Sequence, residues 1–256
     1  MQMLTNPGSV LYRTDVQSAG LTMRKRAATA FVLVLLSGCA AQQRITYDTT
    51  DVRLLGNGPL GAYRLLVRQF EEGRDADATT RRGDRFAAAQ TEREGETWYT
   101  NSDDHYESPV CPAITTMVAN HLRASHLFRD VMVSEDAATP SDLILRGRIR
   151  QFDAFRMQRP VVEGFVAQPG LLWLIIGWAV KTQYKATTVL TDVRLDDAEG
   201  APLWHGDIDG GVDGKDSVIN GQWAVYQEAN LALKAATDKL LAMLATVKPP
   251  PTIADR

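Results

Sequence analysis

Between Asp142 and Phe155 apolar and charged residues alternate so regularly that one local structure fits. Leu143, Leu145, Gly147 and Ile149 fall on one face, and Arg146, Arg148 and Arg150 on the other. A period of two with one apolar and one wet face describes a strand in a sheet that is covered on a single side. Such a sheet needs a second layer, and two stretches supply it. Pro112 to Phe128 carries Ile114, Met117, Val118 and Leu122 at spacings of three and four, continued by Ser125 and Phe128, with a proline in the first turn. Trp223 to Val247 carries Tyr226, Ala229, Leu233, Ala236, Leu240, Met243, Leu244 and Val247 along one helical stripe, and Lys248-Pro-Pro-Pro ends it.

The remaining elements fit around this frame. Ala62 to Phe70 reads as the first core strand, although Tyr63, Leu66, Val67 and Phe70 also match helical spacing. Residues 73–110 are charged and thinly apolar, too long for a structureless loop in a compact domain, and a hairpin around Glu94-Gly95 within Arg85–Thr100 accounts for Phe86, Trp98 and Tyr99. A short strand follows at Phe128–Val133. Tyr184–Leu195 and Pro202–Val212 form a hairpin across the polar turn that ends at Gly200. Strand, helix, mostly sequential strands and a closing helix define an α+β fold, a two-layer sandwich with a mixed, mostly antiparallel sheet and two main helices on one face.

The amino-terminal part has a different character. Arg24, Lys25 and Arg26 precede an apolar run from Ala27 to Leu36, and Ser37-Gly38-Cys39 follow at once. Cationic start, short apolar run and small residues constitute a secretory signal, and the run is about half of what a spanning helix needs. Leu36-Ser37-Gly38-Cys39 resembles the lipobox of bacterial lipoproteins, in which the cysteine becomes the acylated first residue of the mature chain. The resemblance implies lipid attachment at Cys39. Ala40 in place of aspartate implies the periplasmic face of an outer membrane. The expected organisation is a signal peptide over 1–38 with Met23 as the natural start, a lipidated cysteine and tether over 39–60, a domain over 61–247, and a disordered tail over 248–256. Of 256 residues 38 precede Cys39, leaving 218, enough for one domain with a sizeable core. Four of the 28 basic and one of the 31 acidic residues precede Cys39, which leaves a net charge of −6, and no Lys/Arg-rich run remains. A nucleic-acid partner is therefore not expected. With Cys39 acylated, Cys111 has no partner for an internal disulfide.

Ser141-Asp-Leu-Ile-Leu-Arg-Gly-Arg-Ile149, together with the stretch Leu190 to Trp204, resembles a pattern of small envelope lipoproteins of the YajG type, the TolB amino-terminal domain and the CsgG lipoproteins. The likeness spans roughly 61–247, with Gly147, Gly200 and Trp204 as its firmest points. It implies a domain that binds proteins or serves as an accessory part of envelope assemblies.

Several patterns invite chemical readings. Gly56-Asn57-Gly58-Pro59-Leu60-Gly61 is a literal G-x-G-x-x-G, but no buried strand precedes it, so it reads as a turn leading into a strand. Cys111 stands ahead of a helix, where thiolates are favoured, and with His121 or His126 as base it would make a Cys/His cell-wall hydrolase. Asp103, Asp104, His105 and Glu107 read as a hydrated acidic loop. Asp207, Asp209, Asp213 and Asp216 resemble a calcium loop that lacks two of its ligands, with Gly211 and Val218 where acidic residues belong. No metal and no cofactor is expected.

From Gly164 to Val180 no residue is charged. Leu171, Leu172, Trp173, Leu174, Ile175, Ile176 and Trp178 form either a core segment or a surface that meets lipid or a partner, for which tryptophan suits both. The functional expectation is a lipid-anchored periplasmic accessory factor that binds an envelope protein. The alternatives are the Cys111 hydrolase and a subunit of an envelope secretion or lipid-transport assembly. A pore-forming subunit would need long alternating hairpins, and none is visible between Phe155 and Tyr184.

Overall fold

The computed structural model describes residues 43–56, 58–74, 90–93, 96–100, 103, 106–136, 139–157, 181–217 and 221–250. Cys39 and the stretch from Leu171 to Trp178 lie outside them. The described chain is an α+β fold with one mixed sheet. Its strands are β1 (Arg64–Val67), β2 (Glu71–Glu72), β3 (Gln90–Arg93), β4 (Glu96–Thr100), β5 (Asp130–Val133), β6 (Leu143–Met157), β7 (Lys181–Asp197) and β8 (Pro202–Ser217). The helices are α1 (Val110–Ala124) and α2 (Gly221–Leu244).

The alternating stretch is the centre of the sheet. One side of β6 pairs along its length with antiparallel β7, which pairs with antiparallel β8. Its other side is shared in turn by parallel β1, parallel β2 and antiparallel β4, so that β1 sits between β6 and parallel β5. The hairpin expected around Glu94-Gly95 is present as β3 and β4, with Thr91 opposite Trp98. Leu143, Leu145 and Ile149 are fully buried and Arg146, Arg148 and Arg150 exposed, as the alternation requires. Past Ile149 the buried positions become Phe152 and Ala154, because a register shift between Ile149 and Gln151 re-phases the strand. Without it the even-numbered residues would turn to solvent.

The helices cover one face. α2 lies across β6, β7 and β8 and touches α1, which packs beside β5. Leu233, Ala236, Leu240 and Leu244 of α2 are completely buried, as are Ile114, Val118 and Leu122 of α1. Met243, read as part of the α2 stripe, is instead 41% exposed, while Val225, Ala232 and Leu241 take core positions. The helix is wide enough in its apolar arc that Met243 falls at the margin. At Gly210 of β8 the helix approaches so closely that a Cβ would run into the backbone of Ala232 and Ala236. Gly200, with φ of 84°, closes the β7–β8 turn in a left-handed conformation that glycine adopts without strain.

The segment expected to be a tether is different from Gln43 onward. Ile45 and Val52 are buried in the core, Tyr47 and Leu55 pack against it, and Gln43 bridges Tyr106. Its apolar residues show no regular period; a local turn, with Thr50 N–H donating to Asp48 and Val52 N–H to the Thr49 carbonyl, and contacts to the core order it. At the other end Tyr63 Oη donates to the Pro250 carbonyl at 3.1 Å, so the chain still touches the domain at Pro250. Gly58 to Tyr63 is a run of turns, with Gly58, Gly61 and Tyr63 each donating to the carbonyl three residues back, which leads straight into β1. It opens no helix and has nothing of a dinucleotide loop.

Candidate functional site

Among the described residues a groove of about 650 Å³ lies where the end of β2 meets the start of α1, lined by Glu72, Asp103 and Cys111. α1 begins after Pro109 with no side-chain cap from that residue. Instead Asp103 Oδ1 accepts from the Val110 N–H at 3.1 Å, which places a carboxylate at the positive end of the helix. The same oxygen accepts from Arg74 Nη2 at 2.9 Å. Arg74 also grips Glu72, with Nη2 at 2.6 Å from Oε2 and Nε at 2.9 Å from Oε1, a two-pronged pairing that the planar guanidinium favours. The Arg74 side chain is only 2% exposed, and the pairing with both carboxylates offsets its burial and raises its pKa.

Cys111, the second residue of α1, completes the cluster. Its Sγ donates to Glu72 Oε2 at 3.2 Å. Burial, reinforced by the Glu72 carboxylate, pushes the thiol up to about 12. For Glu72 burial acts upward too, but the hydrogen bonds from Arg74 and Cys111 prevail and hold its carboxyl below the ordinary value. The helix terminus, which by itself would favour a thiolate, is outweighed. At neutral pH this cysteine is a protonated donor, and a protonated thiol is a poor nucleophile.

The proposed base is not at hand. His121 follows Cys111 by ten positions on the same helix, about 15 Å at 1.5 Å per residue. It is completely buried at the seam between α1 and α2. Its Nε2 lies 3.1 Å from Asp238 Oδ1, off the line of a good hydrogen bond, and the Tyr47 ring meets it edge-on at a centroid distance of 5.8 Å. Burial lowers its pKa, partly opposed by the Asp238 carboxylate. His126 is exposed beyond the end of α1, with φ of 54°. The structure thus separates Cys111 from both histidines read as its partner.

The acidic patterns disperse as well. Glu107 accepts from Arg44 at 2.6 Å, while Asp103 is engaged with Arg74; Asp104 and His105 lie outside the described residues. Asp207, Asp209 and Asp213 stand exposed on β8, where Asp207 accepts from the Asp192 N–H and Asp209 pairs with Lys239 at 2.9 Å. Among the described residues no three His, Cys, Asp or Glu side chains could hold a metal ion. The Arg74–Glu72 pair was not singled out in the sequence, because a short acidic and basic pair in a charged stretch looks like solvated surface until α1 is packed against it.

No family model and no curated protein matches the sequence. Solved structures with a similar course of the chain include a DUF330 protein from Xanthomonas campestris, at 15% identity over 75% of this chain and 89% of that one, with a TM-score of 0.46. The PelC dodecamer subunit from Paraburkholderia phytofirmans matches at 13% identity over 71% and 93%, with a TM-score of 0.32. A minor lipoprotein from Acinetobacter baumannii matches at 12% identity over 72% and 93%, with a TM-score of 0.33. Likenesses this distant assign no activity to the chain.

Proposed function

We propose that the protein is a lipid-anchored envelope protein, held through Cys39 at the periplasmic face of an outer membrane, that acts by binding another envelope protein as an accessory or assembly factor. The observation that carries this reading is the order of Arg24–Arg26, the apolar run to Leu36 and the lipobox-like Leu36-Ser37-Gly38-Cys39. Diacylation plus an amide-linked chain makes such attachment permanent, since each buried CH₂ contributes about 0.8 kcal/mol. The protonated Cys111 and its distance from His121 give the hydrolase alternative no support. The apolar residues from Leu171 to Trp178 are the proposed second contact, with lipid or with the partner.

Replacing Cys39 by serine tests the anchor: the variant should leave the membrane fraction and become soluble in the periplasm. Sedimentation unchanged from the parent would refute it. Crosslinking in native membranes should then recover a specific envelope protein, and the recovery should fall when Trp173 and Trp178 are replaced by serine. For lipid as the target of that stretch, a variant without Trp98, Trp204 and Trp223 should show quencher exposure in solution and protection with vesicles. Protection in both conditions would assign the stretch to the core.

A further inference from the structure

The path of residues 43–56 determines which end of the domain receives the chain from Cys39. Asn230 Nδ2 of α2 donates to the Arg44 carbonyl at 3.2 Å. Tyr106, bridged to Gln43, sets its ring 5.6 Å from Tyr226 of α2 and 6.0 Å from Phe152 of β6. Farther on, Asp51 pairs with Lys234 at 3.3 Å, and Tyr47 lies against His121, which faces Asp238. The segment therefore advances beside α2 from about residue 226 toward 238. Traced backward, it reaches the anchor side near the start of α2. The end of β6, the start of β7 and the end of β8 lie toward the same end, since Phe152 stands opposite Thr188, and Lys181 opposite Ser217.

Only residues 40–42 separate Cys39 from Gln43. Four Cα steps span at most about 14 Å. The β7–β8 turn is far outside that reach. Asp197 lies nine residue steps along β7 from Thr188, about 30 Å at the rise of a strand. We infer that the domain stands on the lipid headgroups of the bilayer by the end that carries Gln43, Arg44 and the start of α2, with the Gly200 turn pointing away. This orientation rests on the anchor reading above. The short tether enforces it, because Ile45 and Val52 are built into the core and cannot be paid out as slack.

The test uses the full acylated chain in vesicles of phosphatidylethanolamine and phosphatidylglycerol with a rhodamine-headgroup lipid as energy acceptor. In a Cys111→Ser background, a donor dye is placed on Gln227→Cys or on Glu199→Cys, both exposed positions. The dye at 227 should be quenched strongly by the labelled lipid and the dye at 199 weakly. Inserting twenty Gly/Ser residues between Gln42 and Gln43 should abolish the difference. Equal or reversed quenching in protein that floats with the vesicles overturns the orientation while leaving the anchor intact. Persistence of the difference after the insertion overturns the tether as its cause. Failure of the acylated chain to float overturns the anchor reading and the orientation with it.

Discussion

Cys111 illustrates how a neighbouring residue reverses what a sequence position promises. Its place at the start of α1 favours a thiolate, yet the Glu72 carboxylate 3.2 Å away and the burial of the sulfur hold the proton in place. With the thiol pushed up to about 12, little thiolate is present at pH 8, and alkylation of the folded chain should be slowed at least about tenfold relative to an ordinary cysteine, the higher nucleophilicity of a more basic thiolate offsetting part of its scarcity. Iodoacetamide labelling of the folded and the urea-unfolded chain measures this directly, and equal rates would mean that the cluster is misdescribed. His121 gives the second residue-scale expectation. Burial lowers its pKa, so near and below pH 6.5 the folded state binds fewer protons than the unfolded chain. Unfolding then takes up protons, and stability is lost as pH falls from above 6.5 through the lowered value. Asp238 opposes the effect and Lys234 adds to it, with Asp51 also nearby. Thermal midpoints between pH 7.5 and 5 should fall more steeply for the parent than for His121→Gln; superimposable profiles would contradict the assignment.

At the scale of elements, α2 approaches β8 closely at Gly210. A methyl group at Gly210 would meet the backbone of Ala232 and Ala236, which no side-chain rotation can relieve. Gly210→Ala should therefore cost about 1–3 kcal/mol, the usual range for overpacking, and urea unfolding of the two proteins reads it out. A loss below about 0.5 kcal/mol, the range of ordinary surface changes, would show that the helix stands off the sheet. The elements with a strong period were legible without coordinates: β6 from its alternation, α1 and α2 from their three-and-four spacing, and the β7–β8 hairpin from its turn at Gly200. The β3–β4 hairpin was also legible, because a charged loop of that length had to contain structure. The two-residue β2 was not, nor was the parallel placement of β1 between β5 and β6, since no local pattern encodes a partner far along the chain. The packing of residues 43–56 escaped for a related reason: Ile45, Val52 and Leu55 have no periodic spacing, and their burial depends on where α1 and α2 end up. The Arg74 cluster belongs to the same class, as it exists only once β2, residue 103 and α1 converge.

For the whole molecule, the described residues form an α+β domain, and the proposed amino-terminal signal would supply its address. The described residues contain no helix long and apolar enough to cross a membrane; in the function proposed above, attachment is through acyl chains on Cys39. The compact path from Gln43 along α2 then converts that attachment into an orientation. All of this depends on acylation of a single sulfur. Cells expressing the protein and fed an alkyne-bearing palmitate analogue provide the most direct measurement. The account predicts that the parent chain takes up the label and that Cys39→Ser does not, while Cys111→Ser labels as the parent does. An unlabelled parent chain, or a Cys39→Ser chain that labels equally, would contradict it.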